Sequence, residues 1–190
     1  MDRTDYDENM ESLLNDRDTY QLAHKSPFAK IKAELNSRRL NLKKQNKIDG
    51  STYRELHSTD ASPTAICGSP KHLKPSFLLW PIIFSIGSAF YNISKFLTDI
   101  LAPIQSRNGY SVLNSSQFAK KEVADMEILD DEVMVSFDVV SLFTTIPVKK
   151  ACEYIRNKFN DDNSLNSRTN LTADVITSLL ELILSNNYFA

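Results

Sequence analysis

Tyr6, Met10, Leu13 and Leu14 recur at i, i+4, i+7 and i+8, the stripe of an amphipathic helix. Phe28, Ile31, Leu35 and Leu42 continue that spacing behind Pro27 and predict a second helix, with Arg38 and Arg39 on or beside its apolar side. Asp49-Gly50-Ser51 signals a turn. Residues 57–76 hold Pro63, Gly68, Pro70 and Pro75 among scattered polar positions and read as an irregular loop, the best boundary in the chain. Leu78 to Phe84, with Ile82 and Ile83, then predicts a strand beginning near Pro81. Gly87-Ser88 leads into a helix whose stripe is Ile93, Phe96, Leu97, Ile100 and Leu101, stopping at Pro103. Ser115 or Ser116 can cap a helix running to about Met126, and Val133 to Val140 has the β-branched, apolar character of a buried strand. Pro147 suits the first turn of a helix carrying Ala151, Ile155 and Phe159 on one face. Thr172 caps a last helix with Ile176, Leu179, Leu180 and Ile183, and the apolar Asn187–Ala190 end that follows is expected to be an interrupted element. The pattern predicts a helix-rich α+β protein, with a helical N-terminal extension over 1–62 and a mixed region over 63–190.

Composition narrows the class. The chain has 190 residues, 42% hydrophobic and 24% charged, an ordinary globular mix that argues against wholesale disorder. Cys67 and Cys152 are far apart and have no CxxC partner, so neither a zinc site nor a disulfide scaffold is expected. The polar start Met1-Asp2-Arg3-Thr4-Asp5 lacks the apolar core of a signal peptide, and the expected location is intracellular, nuclear or cytoplasmic rather than secreted. The longest apolar stretch, 77–86, falls well short of the ~20 residues that cross a bilayer, so no membrane partner is expected.

The net charge of -2 conceals an uneven distribution. Residues 1–20 carry seven acids against two bases, whereas residues 21–80 carry eleven bases against four acids. An acidic lead followed by a basic stretch can meet a polyanion locally while the whole chain stays near neutral. Arg38, Arg39, Lys43, Lys44 and Lys47 are the candidate phosphate contacts. A solvated helix face explains the same residues, and the three lysines also fit a nuclear address.

Among carboxylates, Asp138 stands out because it lies at the end of the apolar strand expected here, where a charge is costly unless compensated. A divalent metal or the backbone N–H groups of a following turn would each compensate it. Asp130, Asp131 and Glu132 lie six to eight residues earlier, roughly 20 Å away along a strand, too far to share a metal with it. His24, His57 and His72 show no ligand spacing.

Taken together, SFDVVSLFTTIP at 136–147 closely resembles the first catalytic palm motif of Penelope-like retroelement reverse transcriptases. CGSPKHLKP at 67–75, WPIIFSIGSAFYNISKFL at 80–97 and DDEVMVSFDVVSLF at 130–143 are similar, in order and spacing, to that family's fingers segment and its entry into the palm. DRDTYQL at 16–22, with Tyr53 and Leu56, resembles the family's helical start. The resemblance implies RNA-directed DNA synthesis over 63–190, with an RNA template, a DNA primer and deoxynucleotides as partners and Mg²⁺ as cofactor. It implies Asp138 as catalytic metal ligand, the backbone carbonyl of Val139 beside it, and Phe143 under the incoming sugar. Lys71 and Lys74 would approach the nucleotide triphosphate or the template backbone.

The departures limit that expectation. The family's fingers arginine is Trp80 here, and an indole cannot offer a bidentate, always-charged contact. Cys67 stands for a tyrosine, Ser69 for a leucine, Phe90 for a small residue, and His72-Leu73 reverses an isoleucine-histidine order. The sequence stops before the family's Asp-Asp hairpin, so a truncated copy, inactive alone, is expected. The competing expectation is a non-catalytic nucleic-acid-binding module that uses the basic 21–80 stretch.

Overall fold

The computed structural model describes residues 2–57, 60–70, 79–104, 112, 114–124, 126–127, 129, 131–137, 139 and 145–190. Three helices open the chain: α1 (Arg3–Leu14), α2 (Phe28–Lys44) and α3 (Gly50–Leu56). Asp2 starts α1 by accepting from the Asp5 N–H at 2.9 Å, and Asp49 starts α3 by accepting from Thr52 N–H at 2.7 Å. These hydrogen bonds hold the Asp49 carboxyl below its usual range, the Thr52 backbone contact counting most. The Asp49-Gly50-Ser51 signal is therefore a helix start as well as a turn.

Two strands follow, β1 (Ala65–Pro70) and β2 (Leu79–Phe84), paired antiparallel from Ala65↔Phe84 to Pro70↔Leu79. β2 falls where the apolar run predicted it. β1 corrects the reading of 57–76 as irregular: six of those residues pair along β2, although Gly68 and Pro70 are poor strand formers. α1 packs on one face of this sheet. A Cβ at Gly68 would come within 2.7 Å of Met10 Sδ and 2.6 Å of Leu79 Cδ1, so glycine permits the close approach. The Tyr6 hydroxyl accepts from the Gly68 N–H at 2.8 Å, which fixes α1 to the sheet at the same point.

Beyond the sheet come α4 (Tyr91–Leu101), a short α5 (Ser115–Gln117) that runs into a wider π-type turn at Phe118–Val123, α6 (Val148–Asn160), α7 (Leu165–Arg168) and α8 (Ala173–Ser185). Pro147 immediately precedes α6 and Thr172 caps α8 by accepting from Val175 N–H, as the pattern predicted. The last residues are tied down, with Ala190 N–H donating to the Thr64 carbonyl at 2.9 Å.

One core serves both halves of the sequence. Leu35, Leu42, Ile48 and Leu56 pack with Ile93, Leu97, Phe159, Leu171, Ile176 and Leu179 in a single cluster. Residues on both sides of the 62/63 position thus share this packing. Burying such aliphatic side chains contributes about 1.5–3 kcal/mol each and dominates the stability of the assembly.

The expected strand at Val133–Val140 is not formed over its described residues. Residues 132–137 take no helix or strand conformation, and Val133 and Phe137 are 82% and 92% exposed. β-branched composition supplies propensity only; a strand also needs a neighbouring ladder, and the only sheet among the described residues is the β1–β2 pair. The described architecture is helix-rich α+β with a small antiparallel sheet.

Candidate nucleic-acid interface

The basic residues of α2 separate into three environments. Ile31, Leu35, Arg39 and Leu42 form its buried stripe, at intervals of four, four and three. Arg39 therefore lies inside the protein, 1% exposed, and its guanidinium donates to the Ala89 carbonyl at 2.6 Å and to Asn36 Oδ1 at 3.0 Å. Burial lowers its pKa to about 10, with Tyr53 acting in the opposite direction. In this fold Arg39 joins helices and does not reach a surface polyanion, which corrects its expected phosphate contact.

Arg38, one position earlier, sits at the surface. It donates to Glu34 from Nε and Nη2, at 3.3 and 3.1 Å, and from Nη1 to Ser178 Oγ at 2.7 Å. With Asn41, Asp174 and Ser178 it lines a shallow groove between α2 and α8. Arg156 borders the same region through its ion pair to Asp174 at 3.0 Å. The groove mixes signs, and Arg38 already has an anionic partner.

Lys43 and Lys44 occupy the last turn of α2 and are exposed, while Lys47 is half-buried just beyond it. Cations here complement the free carbonyls of the helix end. Lys43 Nζ lies 4.6 Å from the centre of the Tyr53 ring, a cation–π contact that orients the lysine over α3. Lys43, Lys44 and Lys47 thus share one end of α2, and that end is the part of the expected basic surface the fold brings together.

Asp138, Phe143, Lys71 and Lys74 lie outside the described residues. Val139, the expected backbone ligand, is 60% exposed. Nearby, Glu132 turns back on its own loop, its carboxylate accepting from the Leu129 N–H at 3.1 Å. Among the described residues no group of three or more His, Cys, Asp or Glu side chains is gathered to hold a metal ion. No helix among the described residues is long and apolar enough to cross a membrane.

A further surface escaped the sequence reading because it depends on β1. Strand alternation gathers Ala65, Cys67, Ser69, Trp80, Ile82 and Phe84 on the face of the sheet turned away from α1. The available signal was the alternation of Trp80, Ile82 and Phe84, obscured by the apolar residues at 81 and 83. No protein-family model, curated protein or solved structure matches the chain.

Proposed function

We propose that the chain is the fingers and first palm segment of an RNA-directed DNA polymerase resembling those of Penelope-like retroelements. The observation that carries this reading is the order of four sequence blocks, at 16–22, 67–75, 80–97 and 130–147. In the described fold the 67–75 and 80–97 blocks contribute to the paired strands β1 and β2, and the second of them runs on into α4. In this reading Asp138 and the Val139 carbonyl help hold Mg²⁺, which would lower the pKa of a primer hydroxyl and stabilise the leaving pyrophosphate. Phe143 sits under the sugar, and Lys71 and Lys74 attract nucleotide or template phosphates. The partners are an RNA template, a DNA primer and deoxynucleotides in an intracellular setting.

The test joins residues 1–190 to a palm segment that supplies an Asp-Asp hairpin, with Trp80→Arg introduced. Mg²⁺-dependent primer extension on an RNA template is the expected result, reduced at least about a hundredfold by Asp138→Ala. Extension that persists undiminished in the Asp138 variant removes the role assigned to that residue.

The exposed lysines at the end of α2 favour a second reading, a nucleic-acid-binding module without catalysis. It keeps Lys43, Lys44 and Lys47 as phosphate contacts, and its signature is binding that weakens steeply with salt.

A further inference from the structure

The groove between α2 and α8 holds about 240 Å³, room for one small ligand rather than for a chain. Helical spacing builds both of its walls: Arg38, Asn41 and Leu42 fall at i, i+3 and i+4 on α2, and Asp174, Ser178 and Leu179 at i, i+4 and i+5 on α8. Leu42 and Leu179 also belong to the core, so the floor is apolar and firmly packed. The rim pairs its charges. Arg38 is held by Glu34 and Ser178, and Asp174 by Arg156. Two cations balanced by two carboxylates give a polyanion no net attraction and favour a small ligand whose edge carries both donors and acceptors. Two groups remain to meet such an edge. The exposed Asn41 side-chain amide makes no hydrogen bond to any described residue, and only one carboxylate oxygen of Asp174 is engaged by Arg156. An asparagine amide sets a donor beside an acceptor, the complement of the N7 and N6-amino pair of adenine.

We infer that this groove binds an adenine base, with N7 and the N6 amino group on Asn41, the second amino proton on Asp174, and the ring over Leu42 and Leu179. A phosphate on the same nucleoside adds little, because Arg38 is already shared with Glu34. The inference does not rest on the polymerase reading, since none of these residues lies in the blocks at 16–22, 67–75, 80–97 and 130–147. A free adenine nucleotide and an adenosine within a single strand present the same edge, and the test separates them.

The 190-residue chain is titrated with adenosine, AMP, inosine and oligo(rA), with backbone amide shifts locating the contact and calorimetry giving the affinity. Adenosine should move the amides of α2 and α8 around Asn41 and Asp174, with a dissociation constant of about 10 µM to 1 mM. AMP should bind within about threefold of adenosine and respond little to salt, because the rim charges balance. Inosine, in which an oxo group replaces the N6 amino group, should bind roughly five- to a hundredfold more weakly, and Asn41→Ala should weaken adenosine binding by a similar factor. Asn41 is exposed, and an unchanged melting curve confirms that the variant folds. Oligo(rA) that moves the same amides at lower concentration than AMP identifies a base within a strand as the ligand; oligo(rA) that does no better identifies the free nucleotide. Inosine as tight as adenosine, wild-type affinity in Asn41→Ala, or amides of α2 and α8 unmoved at about 10 mM adenosine overturns the inference. So does AMP binding that falls steeply with salt, because the contact is then made to phosphate and not to the base.

Discussion

Arg39 and Ala89 meet across 2.6 Å, the guanidinium of mid-α2 donating to the carbonyl at the approach to α4. The contact crosses the 62/63 position and places a charge within the core. Its Nε finds no hydrogen-bond partner among the described residues, so part of the desolvation cost of the cation is not recovered. Arg39→Ala removes the tie and leaves a void, and should cost about 3 kcal/mol in a urea melt. Arg39→Met, which keeps the volume without the charge, should cost clearly less. If either variant lost nucleic-acid affinity with its stability intact, Arg39 would be a surface contact after all.

Gly68 and Tyr6 together seat α1. Gly68→Ala forces Leu79 and Met10 to move, because the new methyl would approach Leu79 Cβ at 3.0 Å and closer atoms of both side chains. Met10 is flexible and yields at little cost; Leu79 is buried and does not. A loss of about 1–2 kcal/mol is expected. Tyr6→Phe, which removes the acceptor for the Gly68 N–H, should cost about 1 kcal/mol. Hydrogen exchange should show α1 amides opening faster in both variants, and unchanged protection there would mean that α1 is held elsewhere.

The long-period helices were legible because their stripes are regular and their ends are signalled: Pro27 before α2, Pro147 before α6 and Thr172 at α8 all do what their chemistry suggests. β1 was not, since Ala65–Pro70 owes its conformation to β2 rather than to its own residues. Val133–Phe137 shows the converse, strong β propensity without a ladder to join. Arg38 and Arg39 look alike in sequence, yet one helical step, 100° of rotation, sends one to the surface and the other into the core. Charge counting treats them equally; only the register of the stripe separates them. The expected metal ligand Asp138 lies outside the described residues, and its role stays with the motif that suggested it.

The α6–α8 connection carries an acid-sensitive latch. Asp162 accepts from the Ser164 hydroxyl at 2.6 Å and backbone at 2.9 Å, and pairs with Arg168 at 2.6 Å. The Ser164 side-chain bond first, then Arg168, brings its carboxyl down to about 2. A carboxylate depressed in the folded state stabilises it above the unfolded pKa near 3.8 and loses that contribution as pH falls towards 2. Melting temperature should therefore drop between pH 4 and pH 2, and Asp162→Asn should flatten that part of the profile while lowering stability at pH 7. An unaltered acid limb in the variant would assign the transition to other carboxylates.

The end of α2 offers the most direct measure of polyanion contact. Lys43 and Lys44 are exposed and Lys47 half-buried, so phosphates at this end can meet up to three cations without disturbing the core. Each phosphate neutralised releases condensed counterions, which makes the slope of log affinity against log salt a count of contacts, about 0.7 per contact on a single strand. Replacing all three lysines with glutamine should reduce that slope by about 2 and weaken binding at low salt, with little change in stability. Lys43→Gln alone should also release the ammonium from the Tyr53 ring, at a cost of about 0.5 kcal/mol in the fold. A slope unchanged in the triple variant would leave these lysines as the solvated complement of a helix end and would move the electrostatic contact away from α2.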